Sequence, residues 1–278
     1  MSGPERPGTS AVETQALTFT YPDGTRALDG VDLRIMAGER VALIGQNGSG
    51  KSTLVRHFNG LLRAKDGRVL VDGAEVGQRH VAELARLVGI AFQNPDRQIF
   101  ASRVRNEVAF GARNLGLRGT ALDARVEQVL AGVGLRERVD SNPYDLGFSS
   151  RKLLALASIL AMQTPMVVLD EPTTGQDARG VERVARIVAD LAAAGRTVIA
   201  ISHDMRFAAE HFERIVVMRA GRIILDGTPE KVFAEESWPI LASTYLEPPY
   251  AARVGARLGL GSTPTDASVV EALSAARS

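Results

Sequence analysis

Cysteine is absent from all 278 residues, which rules out disulfides, thiolate-bound zinc and thiol catalysis and fits a reducing compartment. Charge of one sign is also missing. The 33 Lys and Arg against 32 Asp and Glu give a formal net charge of +1, which offers no bulk electrostatic reason to expect nucleic acid as a partner. Long apolar runs are lacking too: the longest candidate, LLALASILAM at 153–162, is about half of the roughly 20 residues that a membrane span needs. The opening MSGPERPGTS has no apolar centre of the signal-peptide kind, so residues 1–12 read as a short disordered leader. No internal repeat or low-complexity segment stands out. What remains is an ordinary globular composition, 45% hydrophobic and 23% charged, long enough for one large domain with a small appendage.

Residues 15–44 alternate in a β manner, with ALTFTY, GVDLRI and RVALIG separated by Gly and Asp turns. A helix is expected after Lys51, because STLVRHFNGLL carries apolar residues at helical spacing. GRVLVDG reads as another strand, and VGIAFQ (88–93) as a buried one. From Asn94 to about Met162 the pattern is mostly helical, with breaks at Gly116–Gly119, Gly132–Gly134 and Asn142–Pro143. PMVVLDE and RTVIAISHD are short apolar runs of the kind that form central parallel strands. RIVVMRAGRIILDG reads as a terminal hairpin turning at Ala220–Gly221, and Pro248–Pro249 marks a boundary in a less regular tail. Alternating strands and helices predict an α/β fold with a parallel core sheet, whose ligands sit at the carboxyl ends of the strands. VALIG, MVVLD and TVIAIS all end in chemically useful residues, so one sheet edge is expected to gather them into one site.

The stretch GQNGSGKST fits the phosphate-loop pattern G-x-x-x-x-G-K-[ST] in full. Gly45, Gln46, Asn47, Gly48, Ser49, Gly50, Lys51, Ser52 and Thr53 are therefore candidates for binding ATP. Glycines let backbone N–H groups turn inward around phosphate oxygens, and the following helix offers its positive end. Lys51 supplies a point charge to the β- and γ-phosphates, and the Ser52 hydroxyl can ligate Mg²⁺. At the end of MVVLDE, Asp170 can hold Mg²⁺ through water and Glu171 can polarise an attacking water. His203, after VIAIS, is placed to contact the γ-phosphate and orient Glu171 or the water. Gln93 ends another apolar strand, where its amide could reach Mg²⁺ or the water; from its residues alone it is equally a loop glutamine.

Together these residues resemble the ATP-binding cassette (ABC) ATPases, over roughly residues 13–230. The resemblance implies an ATPase domain at 13–232, with a β-rich N-terminal part, a parallel core sheet and a helical subdomain at about 94–162. It also implies that Tyr21 of FTYPDG stacks on adenine, that Gln93 is the Q-loop glutamine, and that Asp177 of EPTTGQD is the D-loop aspartate. Glu171 becomes the general base and His203 the switch histidine. Such ATPases work as head-to-tail dimers, each ATP lying between one subunit's phosphate loop and the other's signature motif. FQNPDRQIF (92–100) and VRNEVAFGARNLGL (104–117) look more narrowly like the A-component ATPases of energy-coupling-factor importers, which include cobalt and nickel systems. That likeness implies a second ABC ATPase subunit, a transmembrane coupling subunit met by Asp96, Arg97, Gln98 and Phe100, and a separate substrate-binding membrane subunit. It implies import of a metal ion or vitamin, at the cytoplasmic face of the membrane. The tail at 233–278, with ARLGL, Thr265 and VVEAL, is similar to that group's C-terminal dimerisation extension. A soluble non-transport ABC ATPase, an ABC ATPase of another transporter type and a P-loop kinase are the competing readings.

One motif departs from the pattern. Family members usually read L-S-G-G-Q where this chain has Leu146, Gly147, Phe148, Ser149 and Ser150, followed by Arg151–Lys152. Glycine matters there because a phosphate must approach bare backbone, and Phe148 blocks that approach unless its ring turns away. The motif is either degenerate, leaving one poor site in a dimer, or rebuilt. In the rebuilt form Ser149 or Ser150 caps a helix beginning near Arg151 and supplies the missing hydroxyl, and the Arg151–Lys152 pair adds positive charge. Two capping hydroxyls at the expected helix start favour the rebuilt form.

Overall fold

A computed structural model describes residues 9–276. Strands β1 (Ser10–Thr20) and β2 (Arg26–Met36) pair antiparallel. β1 buries Val12 and Thr14 and then Leu17 and Phe19. The parity of buried positions flips across Ala16, a non-glycine residue at φ 46° where the pairing register also shifts, as a bulge requires. The strand begins at Ser10 because Val12, fully buried, pairs with Ile35 and Val71. Residues 10–12 therefore belong to a sheet and not to the leader expected over 1–12; residues 1–8 lie outside the described residues.

β3 (Arg40–Ile44) leads into helix α1 (Lys51–Phe58). β4 (Asp66–Val71) and β5 (Ala74–Glu75) complete a four-stranded antiparallel sheet in the order β2-β1-β4-β5. After the short α2 (Val81–Leu84) and β6 (Val88–Ala91) come three helices, α3 (Val104–Asn114), α4 (Gly119–Gly132) and α5 (Phe148–Met162). β7 (Met166–Asp170), α6 (Ala178–Ala193), β8 (Thr197–Ile201), α7 (Met205–His211), β9 (Arg214–Arg219) and β10 (Arg222–Gly227) follow. The second sheet runs β10-β9-β3-β8-β7-β6, with β10 antiparallel and the rest parallel. The β9–β10 turn puts Ala220 at φ 47° and Gly221 at φ 78°, the positive pair of a tight hairpin.

The parallel strands read as unbroken apolar runs because both faces are covered. Ala42 and Ile44 of β3, with Val167 and Leu169 of β7, face the core shared with α3–α6, while Val41, Leu43, Met166 and Val168 face α1 and the antiparallel sheet. α6 buries Val184, Ile187, Val188 and Leu191, the spacing of one helical stripe. The tail beyond β10 is more regular than its composition implies, forming α8 (Pro229–Val232), α9 (Trp238–Ala242), α10 (Tyr250–Arg257) and α11 (Asp266–Ala275). Pro249 precedes α10, and Thr265 caps α11 in a box with Ser268. Among the described residues no helix is long and apolar enough to cross a membrane.

Candidate nucleotide-hydrolysing site

β3, β7 and β8 are adjacent and parallel, so their carboxyl ends deliver Gly45, Asp170–Glu171 and Ser202–His203 to one edge. β6 lies beyond β7 and brings Gln93, exposed, to the same edge. Gly50 stands at the N-cap of α1 with φ 104°, and a Cβ there would meet Ala27 O at 2.5 Å; only glycine closes the loop. Leu54 N–H is the first to bond within the turn, to Gly50 O (2.8 Å). The amides of Lys51, Ser52 and Thr53 therefore have no partner in the helix and point toward whatever sits at its positive end. Lys51 is buried and its Nζ donates to Gly45 O (2.6 Å), Gln46 O (2.9 Å) and Ser49 Oγ (3.2 Å). Burial pushes its ammonium below the usual lysine range, against the pull of Glu171 and Asp170.

The two acids differ in surroundings. Burial raises Asp170 above the ordinary carboxylate range, and a hydrogen bond from Ser52 and the cations Arg56, Lys51 and Lys152 pull it back. Glu171, 4% exposed, is raised chiefly by burial, opposed by the His203 amide and the Thr174 hydroxyl. Those two groups donate to its Oε2 at 3.3 and 3.2 Å. Its Oε1 lies 3.1 Å from His203 Nε2 but is buried without a hydrogen bond of usable angle. A buried carboxylate with a raised pKa, at a strand end beside the phosphate loop, is placed to act as a general base. Burial, then Lys51, lowers His203 below its usual value. Glu171 is also one of the few non-glycine residues at positive φ, 52°, a strain on the order of 1–3 kcal/mol that its neighbours must hold in place.

These residues fit a nucleoside triphosphate. Among the described residues no cluster of three or more His, Cys, Asp or Glu forms a metal cage. A magnesium ion here would take Ser52 and Asp170 from the protein and the rest from phosphates and water, the usual mode for that ion. The Tyr21 hydroxyl meets Thr53 Oγ1 at 3.0 Å, and its ring stands edge-on to Phe19, 5.0 Å between centroids.

The altered signature stretch is not capped as expected. The helix starts at Phe148 and not near Arg151, with Gly147 at its N-cap and no side-chain cap bond, so neither Ser149 nor Ser150 caps it. The Ser149 hydroxyl donates instead to Gln176 Oε1 (2.6 Å). The Phe148 ring turns toward Gly175, where a Cβ would stand 2.8 Å from it. The basic pair is also committed: Arg151 pairs with Asp96 (3.0 Å) and donates to Leu146 O (2.7 Å), while Lys152 is buried and donates to the carbonyls of Glu171 and Thr174.

Asp177 accepts from Gly180 N (2.7 Å) and caps α6. Of the four residues expected to meet a membrane partner, Gln98 turns inward. Its amide donates to Ala155 O (2.7 Å) and Ser158 Oγ (3.1 Å), and its Oε1 accepts from Phe92 N (3.1 Å), so it braces the loop and is not a contact surface. Asp96, Arg97 and Phe100 are exposed. Phe100 packs edge-on against exposed Phe110, 4.7 Å between centroids. Sequence reasoning passed over Thr174, Gln176 and the burial of Lys152. The one available signal was that Lys152 opens the apolar run LLALASILAM.

The fold and this edge define an ATP-hydrolysing cassette, and the comparisons agree. The ABC transporter family profile matches residues 28–174, and the chain belongs to that family. Among relatives, the energy-coupling factor transporter ATP-binding protein EcfA of Methanocaldococcus jannaschii is 42% identical over 226 residues, 81% of each chain. A putative ABC transporter ATP-binding protein of Streptomyces avermitilis is 41% identical over 240 residues, 86% of this chain and 90% of the relative. Among solved structures, cbiO1 from Clostridium perfringens, part of the ABC transporter complex cbiONQ, superposes with TM-score 0.74 at 34% identity, covering 90% of this chain and 99% of that one. An ATP-binding cassette solved as a dimer after hydrolysis, with ADP and Pi bound, gives TM-score 0.73 at 25% identity over 78% of this chain and 98% of its own.

Proposed function

We propose that this ATPase powers import of a micronutrient, a metal ion or vitamin, through a separate membrane complex, as a peripheral subunit on the cytoplasmic face. The observation that carries the hydrolytic half is the buried Glu171 carboxylate, held through Oε2 by the Thr174 hydroxyl and the His203 amide and lying 3.1 Å from His203 Nε2 through Oε1, beside the phosphate loop. Likeness to EcfA and to cbiO1 supports the importer half. In this reading Lys51 and the first-turn amides of α1 hold the β- and γ-phosphates, and Tyr21 stacks on the adenine. Ser52 and Asp170, with Gln93 nearby, would hold a magnesium ion, which would supply neutralisation of phosphate charge. Glu171 takes a proton from the attacking water at Oε1 while His203 orients both. Asp177 and the 146–150 stretch face a second ATPase subunit, and the exposed Asp96, Arg97 and Phe100 face the transmembrane coupling subunit. No nucleic acid takes part.

Glu171→Gln keeps the shape and removes the base. Turnover is expected to fall at least about 100-fold, while ATP holds two subunits together long enough for gel filtration to resolve the dimer. Loss of turnover without an ATP-held dimer would sink the sandwich arrangement. Full turnover would remove Glu171 from its role.

A further inference from the structure

Burying an ammonium is costly unless it is bonded, and Lys152, 7% exposed, has no evident use in holding phosphate. Its Nζ donates to two main-chain carbonyls, those of Glu171 and Thr174. The second of these residues is also the one whose hydroxyl donates to Glu171 Oε2. Lys152 thus holds both the residue bearing the carboxylate and the residue that steers it. Two more contacts run in parallel. Phe148 leans on Gly175, and Ser149 exchanges bonds with Gln176, its Oγ donating to Oε1 (2.6 Å) and its carbonyl accepting from Nε2 (3.2 Å). Lys152 lies four positions after Phe148 and three after Ser149, so it neighbours both on the first turns of α5. The three grip Thr174, Gly175 and Gln176 in succession.

We infer that Lys152 is a positioning residue for the chain's own Glu171, and that the altered signature stretch is a clasp on the loop carrying the base. This rests on the reading of Glu171 as the base. Glu171 sits at φ 52° with its N–H bonded to Ile201 O (2.9 Å); Lys152 fixes the other side of the same residue. Without that bond the strained main chain is free to relax, and a carboxylate displaced by about 1 Å loses its line to the water. Because α5 also points its N-terminus at the partner subunit's nucleotide in the sandwich reading, one rigid helix joins engagement of the partner's ATP to placement of this chain's base.

Lys152→Met keeps the stem and removes the ammonium. In the full-length chain we expect kcat for ATP to fall about 10- to 100-fold, with KM changed less than about twofold and ATP-held association of the Glu171→Gln background retained. Lys152→Arg should recover most of the turnover, since a second cation can reach the carbonyls. Wild-type kcat in Lys152→Met would overturn the clasp. So would a rise in KM at constant kcat, or loss of ATP-held association, either of which places Lys152 on nucleotide. If Lys152→Met does not fold, Lys152→Gln, with one short amide donor, is read by the same kcat and KM split. Failure of Glu171 itself as base would show separately, as normal turnover in Glu171→Gln.

Discussion

His57 on α1 is fully buried, one turn beyond Thr53. Its Nδ1 meets Thr53 O at 2.8 Å. A carbonyl only accepts, so the proton is on Nδ1, and Nε2, an acceptor, has no partner among the described residues. The ring stands edge-on to Phe19, 4.8 Å between centroids. Protonation would bury a charge and an N–H with nothing to receive it, and burial accordingly lowers the His57 pKa below 6.5. A lowered folded-state value means that the neutral ring's contribution is whole above about pH 6.5 and is lost as the pH falls toward the folded value. His57→Phe keeps the aromatic contact and removes the titration. The melting temperature of wild type relative to that of His57→Phe should therefore fall from pH 7 to pH 5. A constant gap over that range would show that His57 does not titrate there.

At the scale of elements, Asp177, proposed above to face a second subunit, also has a structural role. Asp177 caps the 16-residue α6, and replacing such a cap by alanine costs about 0.5–2 kcal/mol. Asp177→Ala should lower the melting temperature accordingly, and Asp177→Asn, which still accepts from Gly180 N, should restore it. Unchanged stability with lost turnover would mean that the partner-facing role dominates over the cap. The same region shows where reading the chain works and where it stops. MVVLDE and GQNGSGKST are legible because each motif lies in one contiguous run, ordered by the strand before it. The start of α5 was not. Ser149 and Ser150 look like capping residues locally, but Gln176, 27 positions away, takes the Ser149 hydroxyl, and Gly175 accommodates the Phe148 ring. Gln98 misleads for the same reason. It lies in a polar loop, and its partners Ala155 and Ser158 are 57 and 60 positions away. Tertiary partners at that separation decide a polar residue's role, and no local pattern carries them.

At the scale of the whole molecule, the proposed importer needs hydrolysis to be felt at a partner-facing surface, for which the stretch after β6 is the proposed candidate. Buried Glu107 accepts from the amides of Phe100 (3.0 Å) and Ala101 (2.8 Å), and Tyr144 donates its hydroxyl to Ile99 O (3.1 Å). Gln98 braces the loop from beneath, and Arg151 reaches Asp96 from the clasped helix. Phe100 is thereby held 60% exposed against Phe110, although an aromatic side chain gains most from burial. A rigid, exposed aromatic pair of this kind is what an interface hot spot looks like before its partner arrives. In the proposed importer, Phe100→Ala should weaken co-purification with the membrane subunits by roughly 30-fold in affinity, the equivalent of about 2 kcal/mol. Asp96→Ala should weaken it less, because that carboxylate is half-exposed and its ion pair with Arg151 contributes little. The measurement is retention of the membrane subunits on the tagged ATPase across a salt series. Equal retention of wild type and Phe100→Ala at every salt concentration would move the docking surface elsewhere on the molecule.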